Sequence, residues 1–383
     1  MTQTKKQLGQ YFTVSEALQQ FVFDSVKHKN HCLLEPSFGA GHLLQKFKAF
    51  NDNYPMVCYE LDSSIEPILS FNDHQTVIYA DFIKQPISQR FKTIIGNPPY
   101  VKQTSGNLYI QFIERSYEYL DDDGELIFIV PSDFIKQTRA SAIIVTMTKT
   151  GSFTDFLFPH NEKLFEGASI DIVVFRYEKG LHTNTTMVNG KPVFCNVHNG
   201  ILTFSDSERS GCSIEYLFNV YVGLVSGRDT IYRVPFGNIH VLNDKDTVQS
   251  YIFTETFPTN NHEINAHLLH HKPQLLERKI KKFTEKNWFE WGAPRNISKM
   301  QQHWGKPCIY VRTITRQKEV AFLSTVQYFG GLLLCLVPKN PMTHEALQSI
   351  VQFLNSPSFQ CDYTYAGRFK IGHKQISSAM LPT

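Results

Sequence analysis

Six stretches in the first 180 residues constrain this chain more than any other feature: "HCLLEPS", "PMVCYELD", "QTVIYAD", "FKTIIGNPP", "GELIFIVPS" and "SIDIVVFRYEK". Each has the length and the β-branched or aromatic content of a strand, and several are apolar throughout instead of alternating. A strand that is apolar on both sides belongs in a sheet covered on both faces. The cover lies between the strands, where "HLLQKFKAF", "IEPILSF", "YIQFIERSYEYL" and "SAIIVTMTKT" carry apolar residues at helical spacing. Strands alternating with helices predict an α/β domain, doubly wound on a mostly parallel sheet.

At 383 residues the chain is too long for one small core, and length favours two domains. The character changes around residues 180–212, a stretch rich in Asn, Gly, Thr and Ser with hairpin signals at Asn189-Gly190 and Asn199-Gly200. The expected division is a first domain over residues 1–205 and a mixed α+β second domain over residues 206–383. Hydrophobic content of 42% with 19% charged residues is that of an ordinary soluble protein. No window approaches eighteen apolar residues, and the start "MTQTKKQLGQ" lacks a signal-peptide core, so no membrane association and a cytoplasmic location are expected.

The seven cysteines are dispersed with no C-x-x-C pair, which argues against a disulfide framework and a structural zinc site. The cluster "NNHEINAHLLHHKP" has no H-E-x-x-H spacing and reads as a solvated helix face, so no metal is expected. The net charge of +3 is unevenly spread: His262 to Val320 holds twelve Lys or Arg against five Asp or Glu. That excess puts a basic surface in the C-terminal half, where a polyanion can dock.

The chemistry-bearing residues fall at the ends of the predicted strands. The first strand runs into "LLEPSFGAGHLL", where Gly39 and Gly41 let the backbone turn tightly and approach a ligand before the next helix begins. It is not the G-x-G-x-x-G of dinucleotide enzymes. The second strand ends in Glu60, where a carboxylate can take both hydroxyls of a ribose. The third ends in Asp81-Phe82, an acceptor for an adenine amino group and a ring to stack on it. Three such strand ends in succession point to a nucleoside-like cofactor.

The fourth strand runs into Asn97-Pro98-Pro99-Tyr100. Two prolines end any strand and stiffen the backbone behind one amide, one carbonyl and one aromatic ring. Here the set resembles a known family. An acidic-Pro-x-x-G-x-G loop, an acidic second strand, an Asp-Phe third strand and NPPY are similar to the S-adenosylmethionine-dependent adenine-N6 DNA methyltransferases. The order resembles the gamma class, of TaqI and Eco57I type, whose opening motif precedes the glycine loop as "KKQLGQYFT" does here. The resemblance covers essentially the whole chain, with "FNVYVGLVSGRDT", "KNWFEWGAPRN" and "FLNSPSF" as softer matches to the family's C-terminal recognition domain.

The resemblance implies a Rossmann-like fold, S-adenosylmethionine as cofactor and double-stranded DNA as partner. It assigns Thr13, Glu35, Ser37, Gly39, Gly41, Glu60, Leu61, Asp81, Phe82 and Pro99 to the cofactor, with Leu61 and Phe82 sandwiching its adenine. Catalysis would fall to Asn97 and Pro98. An adenine N6 is a poor nucleophile because its lone pair is delocalised into the ring. The Asn97 amide oxygen and the Pro98 carbonyl, aimed at its two hydrogens, would localise that pair for in-line attack. A base inside a duplex must first be flipped out, and Tyr100 would stack on one face of it. Phe165, from "KLFEGASIDIVVFRY", would supply the second aromatic.

In the basic half, Arg295, Lys299, Arg312, Arg316 and Lys318 are the expected DNA contacts, held by Trp288, Trp291, Trp304 and Tyr310. At least one of Arg312 and Arg316 is expected to touch DNA, since arginine pairs bidentately with guanine. The chain starts at the opening motif, so no fused nuclease is expected before it; a restriction endonuclease on a separate chain is compatible with this reading, as is a monomer on DNA. Methyltransferases acting on a protein glutamine also carry NPPY, and adenine dimethylases of ribosomal RNA share the "GQ-x-F" start. The former lack a long basic C-terminal region, and the latter usually replace NPPY. An inactive specificity subunit would show a damaged motif, whereas this one is intact.

Overall fold

The computed structural model of the chain describes residues 12–103, 106–159, 170–206, 211–365 and 368–382. It divides into two compact units, Met1–Arg209 and Ser210–Thr383.

The first unit is built on a ten-stranded sheet. Its elements are α1 (Glu16–Ser25), β1 (Leu33–Glu35), α2 (Gln45–Phe50), β2 (Met56–Glu60), β3 (Gln75–Tyr79) and β4 (Phe91–Gly96). They continue as α3 (Leu108–Glu118), β5 (Leu120–Pro131), α4 (Ser141–Thr150), β6 (Gly151–Leu157), β7 (Ile172–Lys179), β8 (Thr185–Val188), β9 (Lys191–His198) and β10 (Ile201–Ser205). The spatial order is β10-β9-β8-β6-β7-β5-β4-β1-β2-β3. β3, β2, β1, β4 and β5 are parallel neighbours. β7 runs antiparallel between β5 and β6.

Two-sided cover explains the continuous apolar runs. Ile94, Leu126, Phe128, Val130, Val173 and Phe175 turn to one face, against Ile110 and Ile113 of α3 and Ile143, Ile144 and Met147 of α4. The residues between them, Ile95, Ile127, Ile129, Ile172 and Val174, turn to the other face, against Leu18 and Val22 of α1 and Phe47 of α2. The alternation is the strand period of two, applied to central strands with no solvated side. Both Asn-Gly turns occur as expected, with Asn189 (φ 48°) and Gly190 (φ 78°) joining β8 to β9, and Asn199 (φ 51°) and Gly200 (φ 72°) joining β9 to β10.

Three readings of this unit differ from the structure. "IEPILSF" forms no helix, because Pro67 lacks an N–H and pushes Glu66 away from helical backbone. The helix α1 went unpredicted although Leu18, Phe21, Val22 and Val26 keep helical spacing. β6 was hidden because α4 passes into it with no linker, and Thr154 and Asp155 break its apolar pattern.

One charged pair is buried in the sheet. Glu125 of β5 and Arg176 of β7 are 0% and 1% exposed, with Arg176 Nη2 donating to Glu125 Oε2 at 2.6 Å. The same carboxylate accepts from the Lys27 and His28 N–H groups, each at 2.9 Å, and from the Thr93 hydroxyl at 3.1 Å.

The second unit is organised around a four-stranded antiparallel sheet of β11 (Phe218–Val222), β12 (Pro307–Arg312), β13 (Ala321–Thr325) and β14 (Leu333–Pro338), in the order β11-β14-β12-β13. Cys308, Tyr310, Phe322, Cys335 and Val337 face one core. Ile309, Val311, Leu334 and Leu336 face another, with Leu347 and Leu354 of α6 (His344–Leu354). The histidine cluster begins on α5 (His262–His270), which Asn261 caps by accepting from the Glu263 and Ile264 N–H groups. Among the described residues no group of three or more His, Cys, Asp or Glu could hold a metal ion. No helix among them is long and apolar enough to cross a membrane.

Candidate active site

β1 and β4 are neighbours, but the chain leaves them in opposite directions, towards β2 and β3 on one side and β5 on the other. Such a reversal opens a crevice beyond the carboxyl ends of the strands. Glu35 closes β1, Glu60 closes β2, Asp81 follows β3 after one intervening residue, Ala80, and Asn97 follows β4 directly. The acids and the amide read from the sequence thus stand at four consecutive strand ends of one sheet.

The glycine turn is built as its sequence requires. Gly39 (φ 56°) and Gly41 (φ 88°) hold left-handed conformations open to glycine at no steric cost. The Glu60 carboxylate ties this turn to β2, accepting from the Gly39 N–H at 2.9 Å with one oxygen and from the Asp62 N–H at 2.9 Å with the other. Ile68 donates its N–H to the Ala40 carbonyl at 2.9 Å, so the irregular segment that replaces the expected helix lies along the turn. Leu61 is 69% exposed and presents an open apolar side chain.

Glu35 is 1% exposed and accepts from the Ser37 N–H at 3.1 Å and the Ser37 hydroxyl at 3.4 Å. Burial pushes its carboxyl up to about 8, the Ser37 bonds oppose the shift, and the Glu60 charge adds to it. The folded group therefore keeps its proton where the unfolded chain, at 4.5, has lost it. Stability from this group is complete below about pH 4.5 and is lost as pH rises towards 8. Urea unfolding of the first unit at pH 5.5 and 7.5 should show a loss of roughly 1.4 kcal/mol per pH unit from this proton. Glu35→Gln should flatten that dependence; an unchanged slope in the variant would assign it to other groups.

Asp81 accepts from the Ile83 N–H at 3.0 Å and pairs with Lys84 at 3.0 Å. Phe82 corrects its expectation: the ring is 2% exposed, stacked on Phe112 with centroids 5.5 Å apart and edge-on to Tyr59. It is a core residue in this conformation and offers no open stacking face. The acceptor at this strand end is Asp81.

NPPY starts where β4 can pass close to β1. A Cβ on Gly96 would lie 2.9 Å from the Phe128 ring and 3.4 Å from Glu35 Oε1. Pro98 is buried, while Asn97, Pro99 and Tyr100 are half-buried. The Asn97 carboxamide is held at both ends, with Nδ2 donating to the Thr13 hydroxyl at 3.0 Å and Oδ1 accepting from the Tyr100 hydroxyl at 2.6 Å. The Tyr100 hydroxyl also lies 3.1 Å from the Ile129 carbonyl, and its ring meets Tyr109 edge-on. Thr13 is 4% exposed and bonded to Asn97, a link between residues 84 apart that nothing in the sequence announces. Phe165 lies outside the described residues.

In the second unit the expected DNA contacts separate. Arg295, Lys299, Arg316 and Lys318 are exposed. Arg312 is buried, which overturns its assignment: Nε donates to Asp244 at 2.7 Å, Nη1 to the Glu319 carbonyl, and the guanidinium lies over Phe322. A guanidinium spent on these partners is a structural cross-link. Trp288, Trp291 and Tyr310 are core residues as well, and Trp304 is exposed.

Residues 43–165 match the family described as Eco57I restriction-modification methylase. The chain is 31% identical over 214 residues to the type II methyltransferase M.HincII of Haemophilus influenzae, a match covering 49% of this chain and 41% of that protein. It is 26% identical over 231 residues to the type II methyltransferase M.BsuBI of Bacillus subtilis, covering 47% and 45%. The chain thus spans less than half the length of these relatives. Among solved structures, the type IIL restriction-modification enzyme MmeI in complex with DNA is similar with a TM-score of 0.58 at 10% identity, over 98% of this chain and 68% of that one. At such identity the likeness is one of fold. The parallel sheet with its reversed β7 is a Rossmann-like methyltransferase fold, and over residues 43–165 the chain is similar to the Eco57I restriction-modification methylase family.

Proposed function

We propose that the protein is a DNA methyltransferase of a restriction-modification system, acting with S-adenosylmethionine on N6 of an adenine flipped out of the duplex. The observation that carries the reading is the Asn97 carboxamide, anchored at both ends at the mouth of the β1–β4 crevice and followed by two prolines. The curated relatives' names, type II methyltransferases, support the class of reaction.

The residues at the strand ends fit the cofactor's chemistry. Its ammonium, ribose hydroxyls and adenine amino group are donors, and Glu35, Glu60 and Asp81 are acceptors in one row. The left-handed glycine turn brings backbone close to the same place. Glu60 would take the ribose, exchanging the N–H groups of Gly39 and Asp62 that it now binds; Asp81 would take the adenine amino group and Leu61 one face of that ring. The cofactor supplies an electrophilic sulfonium methyl. The chain's own task is to make N6 nucleophilic. Asn97 Oδ1 and the Pro98 carbonyl accept the two amino hydrogens, drawing the nitrogen towards tetrahedral geometry. Tyr100 and Phe165 would flank the flipped base. The exposed Arg295, Lys299, Arg316 and Lys318 would serve the second unit, residues 206–383 in the sequence-based division, as contacts to DNA.

The test is methyl transfer from labelled cofactor to duplex DNA, with nucleosides identified by mass after digestion and with RNA and protein offered in parallel. N6-methyldeoxyadenosine confined to one sequence context is the expected product. Label in a cytosine product would overturn the base assignment, and label in RNA or protein alone would overturn the substrate.

A further inference from the structure

We infer that Thr13 is a positioning residue for Asn97: its buried hydroxyl locks the plane of the carboxamide that receives the target amino group. The inference rests on the methyltransferase reading above. The terminal torsion of an asparagine is broad, so a carboxamide anchored at one end can still swing. Here the Oδ1 end is anchored by the Tyr100 hydroxyl at 2.6 Å and the Nδ2 end by Thr13 Oγ1 at 3.0 Å. Two anchors on opposite ends of a planar group define its plane. That plane sets the direction in which the Oδ1 atom faces the target amino group.

Thr13 can act as an anchor because it is itself fixed. Its carbonyl accepts from Gln19 Nε2 at 2.7 Å, and the same amide nitrogen donates to Gln45 Oε1 at 3.1 Å. Gln19 is a buried residue of α1, and Gln45 opens α2, the helix after the glycine turn. The chain of bonds Gln45–Gln19–Thr13–Asn97–Tyr100 therefore joins the cofactor turn to the base-activating amide. Thr13 is 4% exposed, and its hydroxyl points at Asn97. The geometry gives it a role in orienting the amide instead of the direct cofactor contact that the sequence resemblance implies.

Thr13→Val keeps the shape and removes the oxygen, whereas Thr13→Ser keeps the oxygen. In Thr13→Val, kcat should fall about tenfold while the dissociation constant for S-adenosylmethionine, measured by calorimetry, stays within about twofold. Thr13→Ser should recover most of that loss. In an Asn97→Ala background Thr13→Val should cost nothing further, because the group it orients is gone. The Asn97 side-chain 1H–15N signals give a readout independent of turnover, shifting in Thr13→Val and little in Thr13→Ser. Wild-type-like kcat in Thr13→Val, an additive loss in the Asn97→Ala background, or unmoved Asn97 signals would each overturn the role. Weakened cofactor binding at unchanged kcat would return Thr13 to the cofactor site. A wild type that leaves DNA unmethylated would sink the reading beneath, while the Asn97 signals would still decide the positioning.

Discussion

Asn97→Ala is expected to slow single-turnover methyl transfer by roughly 10²-fold or more, the scale of losing one preorganised polar group at a developing charge. The substitution deletes the acceptor for one amino hydrogen and leaves the Pro98 carbonyl to act alone. It also removes the bonds that the Thr13 and Tyr100 hydroxyls make to the carboxamide. Cofactor affinity should change little, because the acids assigned to the cofactor stand on β1, β2 and just past β3, at strand ends other than that of Asn97. Tyr100→Phe should be milder, since it loses one anchor of the amide and keeps the ring. Rapid-quench measurement with saturating cofactor separates the chemical step from product release. Turnover near that of the wild type in Asn97→Ala would remove the amide from the mechanism.

The parts of this site that could be read from the sequence are those carried by local pattern. Continuous apolar runs announce a sheet covered on both faces, and the structure puts Ile94 and Ile95, or Phe128 and Ile129, on opposite sides of it. Prolines and glycines punctuate, so the turn at Gly39 and Gly41 and the stop at Pro98 were visible from residue type alone. What was invisible depends on residues far apart in the chain. Arg312 reads as a basic side chain at a strand end, and only its bond to Asp244, 68 residues earlier, shows that the charge is spent inside the fold. Phe82 reads as a stacking ring until Phe112, from the helix α3, takes its face. Thr13 offered a motif position, and its hydroxyl proved to be bonded to the amide of the fourth strand end. Local sequence names the groups, while long-range packing decides which of them are left to meet a ligand.

That packing has its own weak point, and Glu125→Ala should find it. Removing this carboxylate leaves the Lys27 and His28 N–H groups and the Thr93 hydroxyl without their acceptor, and takes from Arg176 the closer of its two carboxylates. Breaking a buried pair from one side costs about 3–5 kcal/mol, since the desolvated partner stays behind. For a domain of this size that lowers the melting temperature by about 10 °C. Arg176→Met should cost less, because Glu125 keeps the two backbone N–H groups and Thr93, and the side chain lost is replaced by an apolar one among Val174 and its neighbours in the sheet. The order of the two variants is therefore the diagnostic quantity, and scanning calorimetry of the full chain measures it. Lys27 and His28 follow α1, whose Gln19 holds the Thr13 backbone, so loosening at Glu125 should reach the Asn97 carboxamide as well. Glu125→Ala should accordingly lose methyl transfer at a lower temperature than the wild type while matching it in the cold. A melting temperature within about 3 °C of the wild type, or a larger loss in Arg176→Met, would show that the carboxylate is not the keystone of this cluster.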